Sequence, residues 1–388
     1  MSEFRVPVVR ITIEPHPNAD AIEIARVGDF QSIVKKGQFR NGDLAAYLPE
    51  AALLPEWMLK ELGMWDEING KGKLHGAAGN RVKAIKLRGV LSQGIVLPGN
   101  VGDDEHPSLV LLTASRGNEL CPVFESTSFK EGDDAAEFLG VTKYEPTVPA
   151  HMAGKAIGAN LDITHKYDFD NIKAHPTLFE DDEPVIITEK IHGTLLQIIV
   201  VPASQENEKF FGGRVCITSK GLGGRGIILD HNDETNLYAQ AVAKHGLLQR
   251  VLDVLGPLAD AVKEPVLVFG EVFGAGIQDL SYGSQLEFRA FDICAGVRDR
   301  ANFVDGESFE NYCDGMGIKT VPLLYVGPFS RAKVAELTDG KTTVGGDHIR
   351  EGVVVKSQHE VRHPRYGRKI AKSVSEAYLL RKNATEFA

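Results

Sequence analysis

Residues 184–194, Pro184-Val185-Ile186-Ile187-Thr188-Glu189-Lys190-Ile191-His192-Gly193-Thr194, decide how the second half of this chain is read. Val185 to Thr188 are β-branched throughout and predict a buried strand. That strand delivers a lysine and, three residues later, a glycine. Taken alone, a lysine entering a glycine turn is an ordinary surface feature. A chemical role demands an amine that sheds its proton, because only the neutral form is a nucleophile. Burial and neighbouring cations lower a lysine pKa from about 10.4 towards neutrality.

Three further strings bear on that choice. Phe269-Gly270-Glu271-Val272-Phe273-Gly274 sets a glutamate inside an apolar strand, which is costly unless the carboxyl is paired or used. Glu351-Gly352-Val353-Val354-Val355-Lys356 alternates with period two, so Glu351, Val353 and Val355 are expected on one sheet face and Lys356 on the other. Arg368-Lys369-Ile370-Ala371-Lys372-Ser373-Val374-Ser375 is a basic cluster that reads equally well as a solvated face.

The rest of the chain frames these strings. Its 388 residues predict two domains, and 43% hydrophobic with 25% charged residues is ample for two cores. The first ~100 residues are short β-segments separated by turns such as Arg40-Asn41-Gly42-Asp43, which predict a small closed barrel crossed by a short helix near Glu56 to Gly63. Residues 101–150 read as a loop-rich acidic connector, giving domains 1–150 and 151–388. The second domain is α+β on antiparallel sheets. A helix is expected from a cap at Asn232 or Asp233 to the break at Gly256-Pro257, and a strand and short helix after Pro322.

Several classes are excluded. No run approaches the ~18 apolar residues of a membrane span, and the opening residues lack the pattern of a secretory leader. Cys121, Cys216, Cys294 and Cys313 are scattered without a CxxC pair, which fits a reducing, cytoplasmic setting and neither a zinc site nor a disulfide frame. A net charge of -10 rules out a general nucleic-acid-binding coat. A local basic track remains: the last 39 residues hold nine Lys or Arg against four Glu. Gly221-Leu222-Gly223-Gly224-Arg225-Gly226 fits a dinucleotide fingerprint, but no amphipathic helix or acidic strand end follows.

Taken in order, the four strings resemble the covalent nucleotidyltransferases, the family of ATP-dependent polynucleotide ligases and mRNA capping enzymes. Thr218-Ser219-Lys220 stands at the family's second strand motif, and Phe288-Arg289-Ala290-Phe291-Asp292 where an aromatic ring stacks on adenine. The segment around residues 16–50 looks like an OB barrel, and an OB domain ahead of the catalytic module is the arrangement of the Deinococcus-type RNA ligases. The chain ends 16 residues after Lys372, leaving no room for the C-terminal OB domain of DNA ligases and capping enzymes. The resemblance thus implies an N-terminal OB-type β-barrel followed by an ATP-grasp-like ligase domain of antiparallel sheets with flanking helices. Three departures stand out: His192 where many relatives have Asp, Thr194 and Leu195 where a polar contact is common, and Lys369 and Lys372 spaced K-x-x-K instead of K-x-K.

What the resemblance implies is an ATP-dependent RNA ligase that joins 3′-OH to 5′-phosphate ends. Lys190 is the nucleophile that forms lysyl-AMP. Lys372, with Lys356 and Lys220, surrounds the α-phosphate and holds the proton off Lys190, and Lys369 is a second candidate for that contact. Glu189 faces the adenine edge, Phe291 stacks on the ring or is a plain core residue, and Ile191 and His192 complete the ATP site. Glu351 orients Mg²⁺ or Mn²⁺, with Glu271 on the metal shell or the ribose. Lys35, Lys36, Arg40, Lys83, Lys86 and Arg88 of the OB domain grip a nicked duplex containing RNA, and a monomer is expected. The alternatives are a capping-type guanylyltransferase and a non-catalytic OB-fold RNA-binding protein.

Overall fold

A computed structural model describes residues 4–101, 108–115, 123–146, 148–205 and 213–382, which leaves Cys121 outside the described residues. The chain divides into two compact units, Ser2–Glu145 and Pro146–Ala388 with Met1. Among the described residues no helix is long and apolar enough to cross a membrane.

In the first unit, Thr12–Pro15, Ile22–Val27 and Phe30–Lys35 form one antiparallel sheet, and Leu44–Leu48 pairs with both Val8–Arg10 and Ile95–Leu97 in another. The two sheets join where Ser32 Oγ donates to the Gln93 carbonyl at 2.6 Å and Ile33 N–H donates to Ser92 Oγ at 3.0 Å. Every residue of Leu44–Leu48 is buried. Ala45 and Tyr47 pack with Ile11, Val27, Val34 and Val96, while Leu44, Ala46 and Leu48 pack with Met58 and Leu59 of the helix Glu56–Glu61. Residues 101–150 are less loop-rich than their composition predicts. Leu109–Ser115 and Val123–Phe129 pair antiparallel, and Leu109, Leu111 and Phe129 join the core beside that helix. Those apolar positions outweigh the acidic stretches around them.

Among the described residues, the second unit holds two large antiparallel sheets and a two-stranded hairpin of Arg362–His363 with Gly367–Arg368. The larger runs, in spatial order, Ala156–Ala159, Ile227–Leu229, Val215–Ser219, Thr194–Val200, Val266–Phe273, Glu287–Ala295 and Asn302–Phe303. The smaller runs Leu323–Pro328, Pro184–Lys190, Gly352–Ser357 and Ile370–Val374. Leu195, Leu267 and Phe269 of the larger sheet share one core with Val354 and Ile370 of the smaller, so the two sheets face each other. The far side of the large sheet is covered by helices Leu237–His245, Leu247–Val262 and Gly306–Met316. Helix Arg331–Thr338 covers the small one.

Two helix expectations need correction. Asn236 is the cap, its side chain accepting from the N–H groups of Tyr238 and Ala239, and Gly246 at φ +59 breaks the segment into two helices. The second helix continues through Gly256-Pro257 to Val262. Leu255 and Ala259, one turn apart, are both fully buried, and that packing outweighs the ~3 kcal/mol cost of an internal proline. The glycine fingerprint also resolves: Lys220–Gly224 is a short helix between antiparallel neighbours, not the parallel crossover of a dinucleotide fold.

Gly352 fixes the spacing of the small sheet. Its φ is +152, and a Cβ there would lie 2.0 Å from the Ser373 carbonyl oxygen and 2.9 Å from Val374 Cα. The overlap is with backbone, so a side chain has no rotamer that relieves it. Gly352→Ala is expected to cost about 3 kcal/mol of stability, read as a fall in urea midpoint. A change of less than about 1 kcal/mol would contradict this packing.

Candidate active site

Lys190 is the last residue of its strand in the small sheet, and Thr194 opens the next strand in the large one. Ile191, His192 and Gly193 carry the chain across, so the lysine stands where the facing sheets are joined. Gly193 makes this crossing possible. A Cβ on it would sit 2.3 Å from the Val272 carbonyl and 3.0 Å from Glu271 Cγ, and its N–H donates to Glu271 Oε1 at 3.0 Å. The Gly270 position is equally tight: a Cβ there would lie 2.2 Å from the Phe288 ring.

Glu351 meets the lysine from the neighbouring strand, its Oε1 2.7 Å from Lys190 Nζ. Simple alternation would have turned Glu351 towards Val353 and Val355. It lies just outside the strand, however, and the φ of +152 at Gly352 interrupts the pleat. Burial acts against the charge on Lys190, but Glu351, Glu271 and Asp168 outweigh it and raise the amine's pKa above its ordinary value. In the free protein, carboxylates dominate this lysine. The expectation that cations hold its proton off is reversed. Glu271 shows the complementary effect. Burial, reinforced by Glu351 and opposed by Lys190, pushes its pKa up to about 8.

Lys372 lies on the same face. It pairs with Val354, which pairs with Thr188, two residues before Lys190. Burial lowers its pKa to about 8, helped by Lys220 and Lys190 and opposed by Asp168 and Asp170. Lys220 Nζ donates to Asp168 Oδ1 at 2.9 Å. Lys372 thus lies close to both Lys190 and Lys220, with Asp168, Glu271 and Glu351 gathered around them.

Strand parity separates the other candidates. Lys369 and Lys372 are three apart and therefore face opposite ways. Lys369 pairs with Glu183 at 2.5 Å on the far side, so Lys372 is the lysine directed at the site. Glu189 also points away from the site. It is buried with Val185 and Ile187, and its carboxylate accepts from Thr342 Oγ1, Thr343 N–H and Thr343 Oγ1 at 2.5–2.8 Å. It anchors the 342–344 loop and is not open to an adenine edge. Ile191 is buried with Phe273, Tyr282 and Val321. Lys356 shares the Lys190 face but is set opposite Ile186, about 13 Å along the strand at ~3.3 Å per residue. Its Nζ donates to the Phe291 carbonyl at 2.7 Å and lies 3.5 Å from Asp292, which removes it from the phosphate cluster. Phe291 is the extra residue at a bulge between the Phe269–Asp292 and Gly270–Ala290 pairs, half-buried against Tyr167.

The long-range partners of three motif residues had no sequence signal. Buried Asp292 accepts from Tyr167 Oη at 2.6 Å and from both arms of Arg368, at 2.5 and 3.1 Å. His192 is held between Asp279 at Nε2 and Tyr378 at Nδ1, both 2.9 Å, while Arg381 forks onto Asp279 and stacks on Tyr378. Only contacts across 87 to 186 residues reveal this clamp.

The donor set fits a hard divalent cation. Glu351 Oε2 is buried without a hydrogen-bond partner, and His192 Nδ1 lies 4.0 Å from it. Among the described residues no cluster of three His, Cys, Asp or Glu is set to hold a metal. A cation here would take one or two carboxylates, with phosphate and water as its other ligands, as Mg²⁺ does.

In the first unit, Lys35, Lys36, Arg40, Lys86 and Arg88 are exposed and Lys83 is half-buried. They form two groups, one at the end of Phe30–Lys35 and its following turns, the other just before and on the hairpin Ile85–Leu87/Val90–Ser92, whose tip Arg88-Gly89 has both φ values positive.

The Glu271 shift has a measurable consequence. A folded-state pKa near 8 against an ordinary 4.5 favours the neutral acid, so stability from this group is present below pH 4.5 and is lost as pH rises to 8. Glu271→Gln keeps an acceptor for Gly193 and does not titrate. Without nucleotide, the native protein is expected to lose stability relative to the variant across that window in thermal melts. Parallel pH profiles would show the carboxyl to be ionised throughout.

Residues 183–374 match the RNA ligase family model, and residues 6–99 match an OB-fold domain model. The comparison with curated proteins returns no match. Among solved structures, the Naegleria gruberi RNA ligase with PPi is similar at a TM-score of 0.69 and 22% identity, over 97% of this chain and 98% of that one. A lysine-to-methionine mutant of that ligase with AMP and Mn gives 0.70 and 21%, over 96% and 97%. A lysine-to-alanine mutant with ATP and Mn gives 0.69 and 21%, over 97% and 98%. With the lysine–carboxylate cleft inside the matched segment, the second unit belongs to the RNA ligase family, enzymes that form phosphodiester bonds, and it follows an OB-fold unit.

Proposed function

We propose that this ATP-dependent RNA ligase joins 3′-OH and 5′-phosphate ends through a lysyl-AMP on Lys190 and an adenylylated 5′ end. The observation that carries the reading is the Lys190 amine at a sheet crossing, paired with Glu351 and close to Lys372 and Lys220. The lone pair of neutral Lys190 Nζ attacks the α-phosphorus of ATP. The bond to the β-phosphate oxygen breaks, pyrophosphate leaves, and the amine's proton is released. An oxygen of an RNA 5′-phosphate then attacks the same phosphorus, and the P–N bond returns its electrons to Nζ. Finally the 3′-hydroxyl oxygen attacks the 5′-phosphorus and loses its proton, the bond from that phosphorus to the oxygen bridging to AMP breaks, and AMP departs.

Each transfer builds charge on phosphate oxygens, which Lys372 and Lys220 are placed to neutralise. Glu351 and Glu271 are the residues to hold Mg²⁺ or Mn²⁺, which would neutralise phosphate charge and draw Glu351 away from the lysine. His192, fixed by Asp279 and Tyr378, keeps the crossing segment in place. ATP and Mn in the Naegleria structures fit this assignment.

The finer parts of the reading are the Deinococcus-type branch, a nicked duplex with RNA as substrate, a monomer, and a cytoplasmic location. The OB-first order supports the branch, and three buried free cysteines suit a reducing compartment. The OB unit's basic residues at Lys35, Lys36, Arg40, Lys83, Lys86 and Arg88 are assigned to the nucleic acid.

Intact-mass spectrometry with ATP and Mg²⁺ should show an AMP adduct that GTP does not produce and that Lys190→Ala abolishes, together with sealing of a nicked RNA. An adduct retained in that variant would move the nucleophile elsewhere. Because Lys190 titrates above its ordinary range and Lys372 near 8, kcat/KM for self-adenylylation should rise about tenfold per unit up to pH 8 and flatten above it. A rate independent of pH between 6 and 8 would show that the amine is already neutral.

A further inference from the structure

The basic track of the last 39 residues is only partly absorbed by the site above. Lys356 and Arg368 serve Asp292, Lys369 serves Glu183, Lys372 faces the cleft, and Arg381 clamps Asp279. Arg350 lies beside Glu189 and Lys382 is exposed near the end of the described residues, while Arg362 and Arg365 are exposed on the hairpin of Arg362–His363 with Gly367–Arg368. Arg362 makes one long contact, Nη2 to the Ala301 carbonyl at 3.4 Å.

Beside these arginines stands a column of rings. Tyr366 stacks on His175 at 4.5 Å and 27°, and on His363 at 4.6 Å and 23°. All three are half-exposed, and Arg365 lies over Tyr366 at 5.4 Å. The rings are held from behind. His363 Nδ1 accepts the N–H groups of Arg365 and Tyr366, His175 Nε2 meets Asp170 Oδ2 at 2.9 Å, and Thr177 Oγ1 lies 3.4 Å from Tyr366 Oη. The first contact fixes the proton of His363 on Nε2, away from the hairpin. The column also leads to the cleft: the Asp170 carbonyl accepts the Lys372 N–H at 3.0 Å.

We propose that His175, Tyr366 and His363, flanked by Arg362 and Arg365, form a docking site for a single RNA strand on the nucleotidyltransferase unit itself. Outer faces of the ring column stack on bases, and the two arginines meet phosphates. Aromatic platforms beside exposed cations bind single strands in this way, with little regard to sequence. Two exposed arginines on a chain of net charge -10 give the polyanion a local partner against an otherwise acidic background. The proposal rests on the RNA ligase reading, and its test keeps the two apart.

The full-length protein is titrated with a 5′-phosphorylated single-stranded RNA by fluorescence anisotropy at several salt concentrations, alongside lysyl-AMP formation. Arg362→Ala with Arg365→Ala should weaken binding about tenfold and reduce the log–log salt slope by one to two, with the self-adenylylation rate unchanged. His363→Ala should weaken RNA more than an abasic strand of equal length, and His363→Tyr should restore it. Unchanged RNA affinity and salt slope in both the arginine pair and His363→Ala would overturn the docking site. Native protein that forms no lysyl-AMP would instead overturn the ligase reading.

Discussion

The 2.7 Å contact between Lys190 and Glu351 governs this cleft. It keeps the amine charged and oriented while no nucleotide is present, which for the proposed nucleophile is the unreactive form. A neutral amine then requires another positive charge to take Glu351. The glutamate is suited to that exchange: one oxygen is on the lysine and the other is buried with no hydrogen-bond partner. Glu271, neutral up to about pH 8 in the free protein, adds a second carboxyl that ionises most easily when positive charge enters.

Everything around that pair serves close approach. Gly193 and Gly352 stand where a Cβ would strike carbonyl oxygens at 2.3 and 2.0 Å, so the lysine crossing and the glutamate strand can come together only with glycine there. Further along, Asp292 of the large sheet holds Arg368 and Lys356 from the small-sheet side, with Tyr167 as a third partner. Isolated, that carboxylate would be an expensive buried charge; fully paired, it fixes how the two sheets oppose each other.

The motifs were legible because each places a charged residue and a glycine in an apolar strand, a combination that packing alone does not favour. Strand parity was legible too, and reading it strictly would have turned Glu189 and Lys369 away from the cleft. Parity failed once, at Glu351, because Gly352 leaves the pleat. Hidden from the sequence were pairings set by the fold: Asp168 with Lys220, Asp292 with Arg368, and Asp279 and Tyr378 with His192. An aspartate followed 76 residues later by an arginine carries no local pattern. The helix through Pro257 was missed for a related reason, since burial against the sheet decided it, whereas the break at Gly246 is a local one, a glycine in the left-handed C-cap position.

In the proposed mechanism Lys190 is charged at rest and loses its proton once nucleotide and metal are bound. An NMR titration of the ¹⁵N-labelled lysine amines, with and without a non-hydrolysable ATP analogue and Mg²⁺, measures that directly. Lys190 is expected to titrate above its ordinary value alone and to be neutral at physiological pH in the complex. A lysine equally basic in both states would contradict this mechanism.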